Sequence, residues 1–169
     1  MLAIRWEISE GLCGNQESAS PPPPATEPIG EGGSTLGEKV IKTEEEWRQQ
    51  LTPEQFLVAR EKGTERAFTG EHYDFEGEGT YHCVCCDEPL FNSDTKYHSG
   101  SGWPSFWAPS GGESIETKPD SSLGGMRVEV LCSRCDAHLG HVFEDGPEPT
   151  GLRYCVNSVA LKFIAKEQG

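Results

Sequence analysis

The sequence predicts a small, mainly β domain led by short helices and preceded by a segment that does not fold. Three observations carry this. Two helix-start signals lie within residues 43–55, the helical period vanishes beyond residue 64, and later β-forming runs are separated by Gly, Pro, Asp and Ser turns. A length of 169 residues suits one domain with a tail. The composition excludes several classes of function. No run of 18 apolar residues is present to span a bilayer. A net charge of −14 and a pI near 4.7 argue against a nucleic-acid partner, which needs a basic face. Seven cysteines are too few for a disulfide scaffold of this size, and their clustering points to ligands and chemistry.

Residues 1–36 are expected to be a disordered tail. They are rich in Gly, Pro and Ser, include the run Pro21–Pro24, and hold few apolar residues after Leu12. Such a stretch buries too little surface to offset the entropy of ordering it. Its one cation is Arg5, set against Glu7, Glu10, Glu17, Glu27 and Glu31. That is neither an Arg-rich transit peptide nor a signal peptide, so the reducing cytoplasm is the expected compartment. Residues 37–169 then form one folded domain. In it, Thr43 followed by Glu44, Glu45 and Glu46 reads as a capping box. Thr52-Pro53-Glu54-Gln55 repeats the signal, with Phe56 and Leu57 facing the core and Gly63 as the stop. The β-forming runs are 79–83, 123–131 and 152–163.

Two Cys-x-x-Cys pairs, Cys83/Cys86 and Cys132/Cys135, are separated by 45 residues. Four thiolates from two tight knuckles are what tetrahedral Zn²⁺ takes, and a closed four-sulfur site leaves no open position for catalysis. Structural zinc clamping two distant parts of a sheet is favoured over two disulfides, a redox pair or an iron–sulfur site. No export signal is present, and the α/β pattern around a redox Cys-x-x-Cys is missing. Of the other cysteines, Cys13 falls in the tail and Cys85 inside the first knuckle. Cys155 has different neighbours. Strand alternation puts Arg153, Cys155 and Asn157 on one face, continuing as Val159, Leu161 and Phe163. A buried structural thiol is one reading. A reactive one is the other, because a neighbouring Arg favours thiolate.

His138-Leu139-Gly140-His141-Val142-Phe143 begins two residues after the second knuckle, in strand or turn context. These histidines are either structural or partners in thiol chemistry near neutral pH. Gly100-Ser101-Gly102-Trp103-Pro104-Ser105-Phe106-Trp107 makes a rigid turn whose aromatics either pack or wall a small apolar pocket.

Together, Gly102–Phe106, His138–Phe143, Arg153–Ser158 and both knuckles resemble the type B methionine sulfoxide reductases, the peptide-methionine (R)-S-oxide reductases. The resemblance covers about residues 39–164 and leaves the tail outside it. It implies two antiparallel sheets with short N-terminal helices and a zinc site remote from catalysis. The implied activity is reduction of methionine-R-sulfoxide, free or in proteins, through a cysteine sulfenic acid. By the resemblance, Cys155 is the nucleophile, His141 the acid and His138 its polar companion. Asn157 would orient the imidazole, Trp103 contact the substrate methyl, and Asp145 and Arg153 support the site. The expected partners are such sulfoxides and thioredoxin or a similar thiol reductant, acting on a monomer.

Two other classes of function fit the residues less well. A non-enzymatic zinc-binding interaction module gives Cys155 and both histidines no role. A Cys/His/Asn hydrolase needs an oxyanion hole that no motif supplies. In one respect the chain departs from the family. Many members carry a resolving Cys where this sequence has Ser101. Cys85 is tied to its knuckle, and Cys13 sits on a tail that reaches roughly 25–30 Å as a loose coil. Reset by an external thiol is therefore expected ahead of reset by Cys13.

Overall fold

In the computed structural model of the chain, residues 38–167 are described, and the expectations for the tail and Cys13 lie outside them. Helices α1 (Glu44–Gln50) and α2 (Pro53–Ala59) open the domain with the predicted caps. Thr43 Oγ accepts from Glu46 N while the Glu46 carboxylate accepts from Thr43 N, and Thr52 and Gln55 repeat the exchange. Orphan N–H groups at both helix starts are thus satisfied by side chains. Phe56 is buried, as expected, but Leu57 is 51% exposed. In so short a helix Phe56, Val58 and Ala59 already fill the inner face, which leaves Leu57 outward. The expected stop also differs. α2 ends before Arg60, and Lys62, not Gly63, takes the left-handed conformation, with φ 58°. A Cβ on Gly63 would lie 2.9 Å from the Leu57 carbonyl oxygen, so close approach selects glycine there.

Nine strands follow: β1 (Gly79–Cys83), β2 (Pro89–Asn92), β3 (Lys96–Tyr97), β4 (Ser105–Phe106), β5 (Ile115–Asp120), β6 (Arg127–Cys132), β7 (His138–Phe143), β8 (Arg153–Val156) and β9 (Leu161–Ala165). They form a three-stranded sheet in the order β2-β1-β9 and a six-stranded sheet in the order β3-β4-β8-β7-β6-β5. Every pairing is antiparallel. The mainly β class with two antiparallel sheets and two short helices is as expected. An aromatic core lies between the sheets. Phe91 of β2 stacks on Phe106 of β4 at 4.5 Å between centroids, and Tyr81 of β1 meets Phe106 edge-on at 5.1 Å. These three rings are fully buried, and such contacts add to their large area burial.

Two of the β-forming runs are corrected. The run 123–131 becomes strand only at Arg127, because Ser121–Met126 forms the tip of the β5–β6 hairpin, with Leu123 and Met126 exposed. The run 152–163 is two strands in different sheets, joined by a 3-10 turn at Ser158–Ala160. The face carrying Arg153 and Cys155 therefore does not continue into Val159, Leu161 and Phe163. Buried Glu65 holds that corner, its carboxylate accepting from Ser158 N at 2.7 Å and Val159 N at 3.0 Å.

Strands β7 and β8 approach closest at Gly140, where a Cβ would lie 2.0 Å from the Cys155 carbonyl oxygen. That backbone cannot recede without breaking the β7–β8 ladder. Gly140→Ala is expected to destabilise the fold by on the order of 3 kcal/mol or more, read as a fall in the urea midpoint. An unchanged midpoint would show that the two strands can separate without loss.

Candidate active site

Cys155 lies mid-sheet on β8, directly opposite His141 of β7 on one side and Ser105 of β4 on the other. The same cross-strand row runs on to Glu129 of β6. Paired residues share a face, so thiol and imidazole are placed by register alone. Strict alternation would put His138 and His141 on opposite faces. A bulge in the β6–β7 pairing at Val130/Leu131 changes that, and the two rings meet edge-on at 5.5 Å.

The row opens into a cleft of about 120 Å³ lined by Thr64, Trp103, Arg127, Gly140, His141, Phe143, Cys155 and Asn157. It is far smaller than the roughly 300–1,000 Å³ of sites for drug-sized ligands, and suits the end of one side chain. A roomier hollow of about 510 Å³ beside His72, Phe75 and Phe163 has no cysteine in its wall. Trp103 is held in the cleft wall by its indole N–H, which donates to the Glu65 carbonyl at 3.2 Å.

Burial pushes the Cys155 thiol above its ordinary pKa, outweighing the Ser101 hydroxyl and Arg153, which favour thiolate. Arg153 acts in the direction expected from the sequence, and burial is the larger influence. Arg153 gives two hydrogen bonds to Asp145, at 2.8 and 3.0 Å, and lies over the Phe143 ring, so its charge is largely answered elsewhere. Ser101 lies beside this thiol, its Oγ 3.8 Å from Cys155 Sγ. Ser99, Ser101 and Ser105 form a hydroxyl cluster there.

The histidines differ in anchoring. His138 is buried, with Nδ1 2.7 Å from Glu129 Oε1, and burial holds its pKa below the usual imidazole value. Glu129 is in turn held by Lys62 at 2.8 Å. His141 places Nε2 2.7 Å from Asp120 Oδ2. Asn157 does not support either imidazole. Its Oδ1 accepts from Glu65 N at 3.0 Å and its Nδ2 donates to Leu139 O at 2.9 Å, which ties the corner after β8 to β7. Asp120, Arg127 and Glu129 were missed because no linear motif joins them to the histidines. The available signal was the Asp120–Arg127 charge pair flanking a Ser/Gly hairpin turn.

Cys83, Cys86, Cys132 and Cys135 place all four sulfurs within 4.8 Å of one another, unpaired as disulfides. Cys83 and Cys135 sulfurs stand 3.6 Å apart, and Cys86 and Cys132 sulfurs 3.5 Å. Ligands about 2.3 Å from a tetrahedral metal stand roughly 3.8 Å apart, so the set fits one ion. The knuckles repeat each other. Asp87 N donates to Cys83 O and Asp136 N to Cys132 O, both at 2.9 Å, with Asp87 and Asp136 left-handed at φ 60° and 57°. The first knuckle joins β1 to β2 and the second β6 to β7, so the cluster bridges two sheets, not two parts of one.

The SelR domain model matches residues 51–165. A protein of Hahella chejuensis named peptide methionine sulfoxide reductase MsrB is 64% identical over 126 residues, which span 75% of this chain and 91% of that protein. Proteins of the same name from Pseudomonas putida and Pseudomonas savastanoi pv. phaseolicola are 60% and 55% identical, each over 77% of this chain and, respectively, 98% and 99% of theirs. With the domain match covering most of the chain and such relatives aligned almost end to end, the chain belongs to the SelR family of type B methionine sulfoxide reductases.

Proposed function

We propose that residues 37–169 form a reductase domain that converts methionine-R-sulfoxide, free or in proteins, to methionine, with Cys155 as nucleophile. The observation that carries this is the cross-strand pairing of Cys155 with His141 at the floor of a one-side-chain cleft beside Trp103. Sulfoxide oxygen leaves poorly unless protonated. Cys155 sulfur takes the oxygen and is oxidised to sulfenic acid, while the methionine sulfur is reduced by the same two electrons. The thiol proton passes through His141 and ends on that oxygen, so the thiol supplies the proton the step requires. The substrate methyl packs on Trp103 while the oxygen faces His141, which admits one epimer. His138, Arg153 and Asp145 support the polar side, and Asn157 does so through the backbone it fixes.

Thioredoxin or a comparable thiol then attacks the sulfenic acid and releases water. A second thiol frees Cys155 from the mixed disulfide. Ser101 cannot form a disulfide, and Cys85 is buried beside the cysteine cluster. The four-cysteine site is assigned to one structural Zn²⁺, because soft thiolates in a closed tetrahedron select it and hold the fold. None of the six described cysteines is paired in a disulfide, which suits a reducing cytoplasm, and the chain is taken to act as a monomer. No helix among the described residues is long and apolar enough to cross a membrane.

Given racemic N-acetyl-methionine sulfoxide and a dithiol, the protein is expected to consume only the R half, and Cys155→Ser to retain under roughly 1% of that activity while staying folded. Consumption of both epimers, release of an acid or amine, or an active Cys155→Ser would overturn the assignment. Metal analysis should find one zinc per chain, and Cys83→Ala or Cys132→Ala should lose metal and folding together. Iron with a visible chromophore, or no metal in folded protein, would refute zinc. After one turnover without reductant, mass spectrometry should show sulfenic acid on Cys155, and Cys13→Ser should leave turnover with dithiothreitol unchanged. A Cys13–Cys155 disulfide would instead identify the tail as the resolving element.

A further inference from the structure

We infer that Asp120, on the neighbouring hairpin, is a positioning residue that fixes His141 and selects Nδ1 as the nitrogen that gives its proton to the substrate. Asp120 Oδ2 lies 2.7 Å from His141 Nε2, and both side chains are mostly buried. The carboxylate is oriented independently of the histidine. Its Oδ1 accepts from Ser122 N at 2.9 Å, and its Oδ2 also accepts from Arg127 at 2.9 Å. Asp120 pairs with Arg127 at the end of the β5–β6 ladder, two residues along β5 from Lys118, which opposes Glu129 in the catalytic row. It therefore stands on the face of that row, one register step away.

The consequence is a difference between two otherwise similar histidines. Glu129 takes Nδ1 of His138, whose remaining Nε2 is buried without a partner. Asp120 takes Nε2 of His141, whose ring lines the cleft beside Cys155, leaving Nδ1 for the sulfoxide oxygen. A carboxylate on the far nitrogen fixes the tautomer and favours the imidazolium that forms on receiving the thiol proton. The charged and titratable groups around His141 are Asp120, Arg127, Glu129, His138 and Cys155. Of these, Asp120 and Glu129 supply negative charge, and only Asp120 bonds the His141 ring. The Asp120 carboxyl is itself held well below the usual carboxylate range by Ser122, then His141 and Arg127, so it stays charged throughout the working range.

The test is Asp120→Asn, with Asp120→Glu as the conservative partner and His141→Asn as the control. Asp120→Asn should lower kcat by about 10–100-fold, at or below the lower end of what a general acid itself contributes, with KM little changed. Asp120→Glu should recover part of the rate. Metal content and melting temperature should not change. In the unsubstituted protein, ¹⁵N spectra of neutral His141 should show the proton on Nε2. A proton on Nδ1 would overturn the inference even where Asp120→Asn fails to fold. The inference rests on His141 as proton donor, and the control separates the two. An active His141→Asn would remove that reading, whereas an inactive His141→Asn beside an Asp120→Asn with normal kcat would refute the role of Asp120 alone.

Discussion

The four-cysteine cluster is the constraint on which the rest of the architecture depends. It joins the turn that closes the small sheet to the turn that feeds β7 of the large one. β7 begins with His138, three residues after Cys135, so the cluster sets the strand that carries both histidines. Few apolar residues are available to do this by packing alone, since hydrophobic residues make up 34% of the sequence. A domain of this size has a modest core, and a bound metal adds its binding energy to folding. Cys83, Cys132 and Cys135 are buried, which leaves the site closed to substrate and separates holding the fold from doing the chemistry.

Glu65 makes the second connection. A buried carboxylate is costly unless its oxygens are occupied, and here two backbone N–H groups occupy them. Burial still pushes its pKa up, so the bonds offset the desolvation only in part. The same residue receives the Trp103 indole N–H on its carbonyl and donates its own N–H to Asn157. The end of the nucleophile strand, the crossing between sheets and the aromatic wall of the cleft are therefore held at one point. Asn157, read in sequence as a partner for the imidazole, belongs to this support. It keeps β8 in register with β7, and that register is what sets Cys155 opposite His141.

Features encoded by local chemistry were legible in the sequence. The two capping boxes, the paired knuckles, β1 and the strand character around Cys155 each depend on residues within a few positions of one another. Features set by tertiary contact were not. Residues 152–163 are β-forming throughout, and nothing local reports that Glu65, some 90 residues earlier, bends the chain at Ser158. The same holds for Asp120, which reaches His141 across a hairpin, and for Leu57, whose exposure follows from how two turns of helix lie on the core. Arg153 was legible as a neighbour of Cys155. Its engagement by Asp145 was not, and that engagement decides how much of its charge the thiol feels.

That balance bears on how a buried thiol serves this chemistry. A thiolate at rest would attack faster, yet it would also meet any passing oxidant, since susceptibility follows thiolate character and exposure. Cys155 is only part-exposed, and burial pushes its pKa up. The substrate changes the terms, because sulfoxide oxygen needs a proton at the moment its sulfur is attacked. On the proposed mechanism, a thiol facing an imidazole across one strand pair supplies nucleophile and proton together. Reactivity is thereby tied to an occupied cleft. The same enclosure governs the return step. With a hydroxyl at Ser101 in place of a second thiol, the sulfenic acid must be reached through the cleft the substrate has just left. On the proposed route, product release therefore precedes reset, and the reducing thiol of thioredoxin or a comparable donor is presented where the substrate entered.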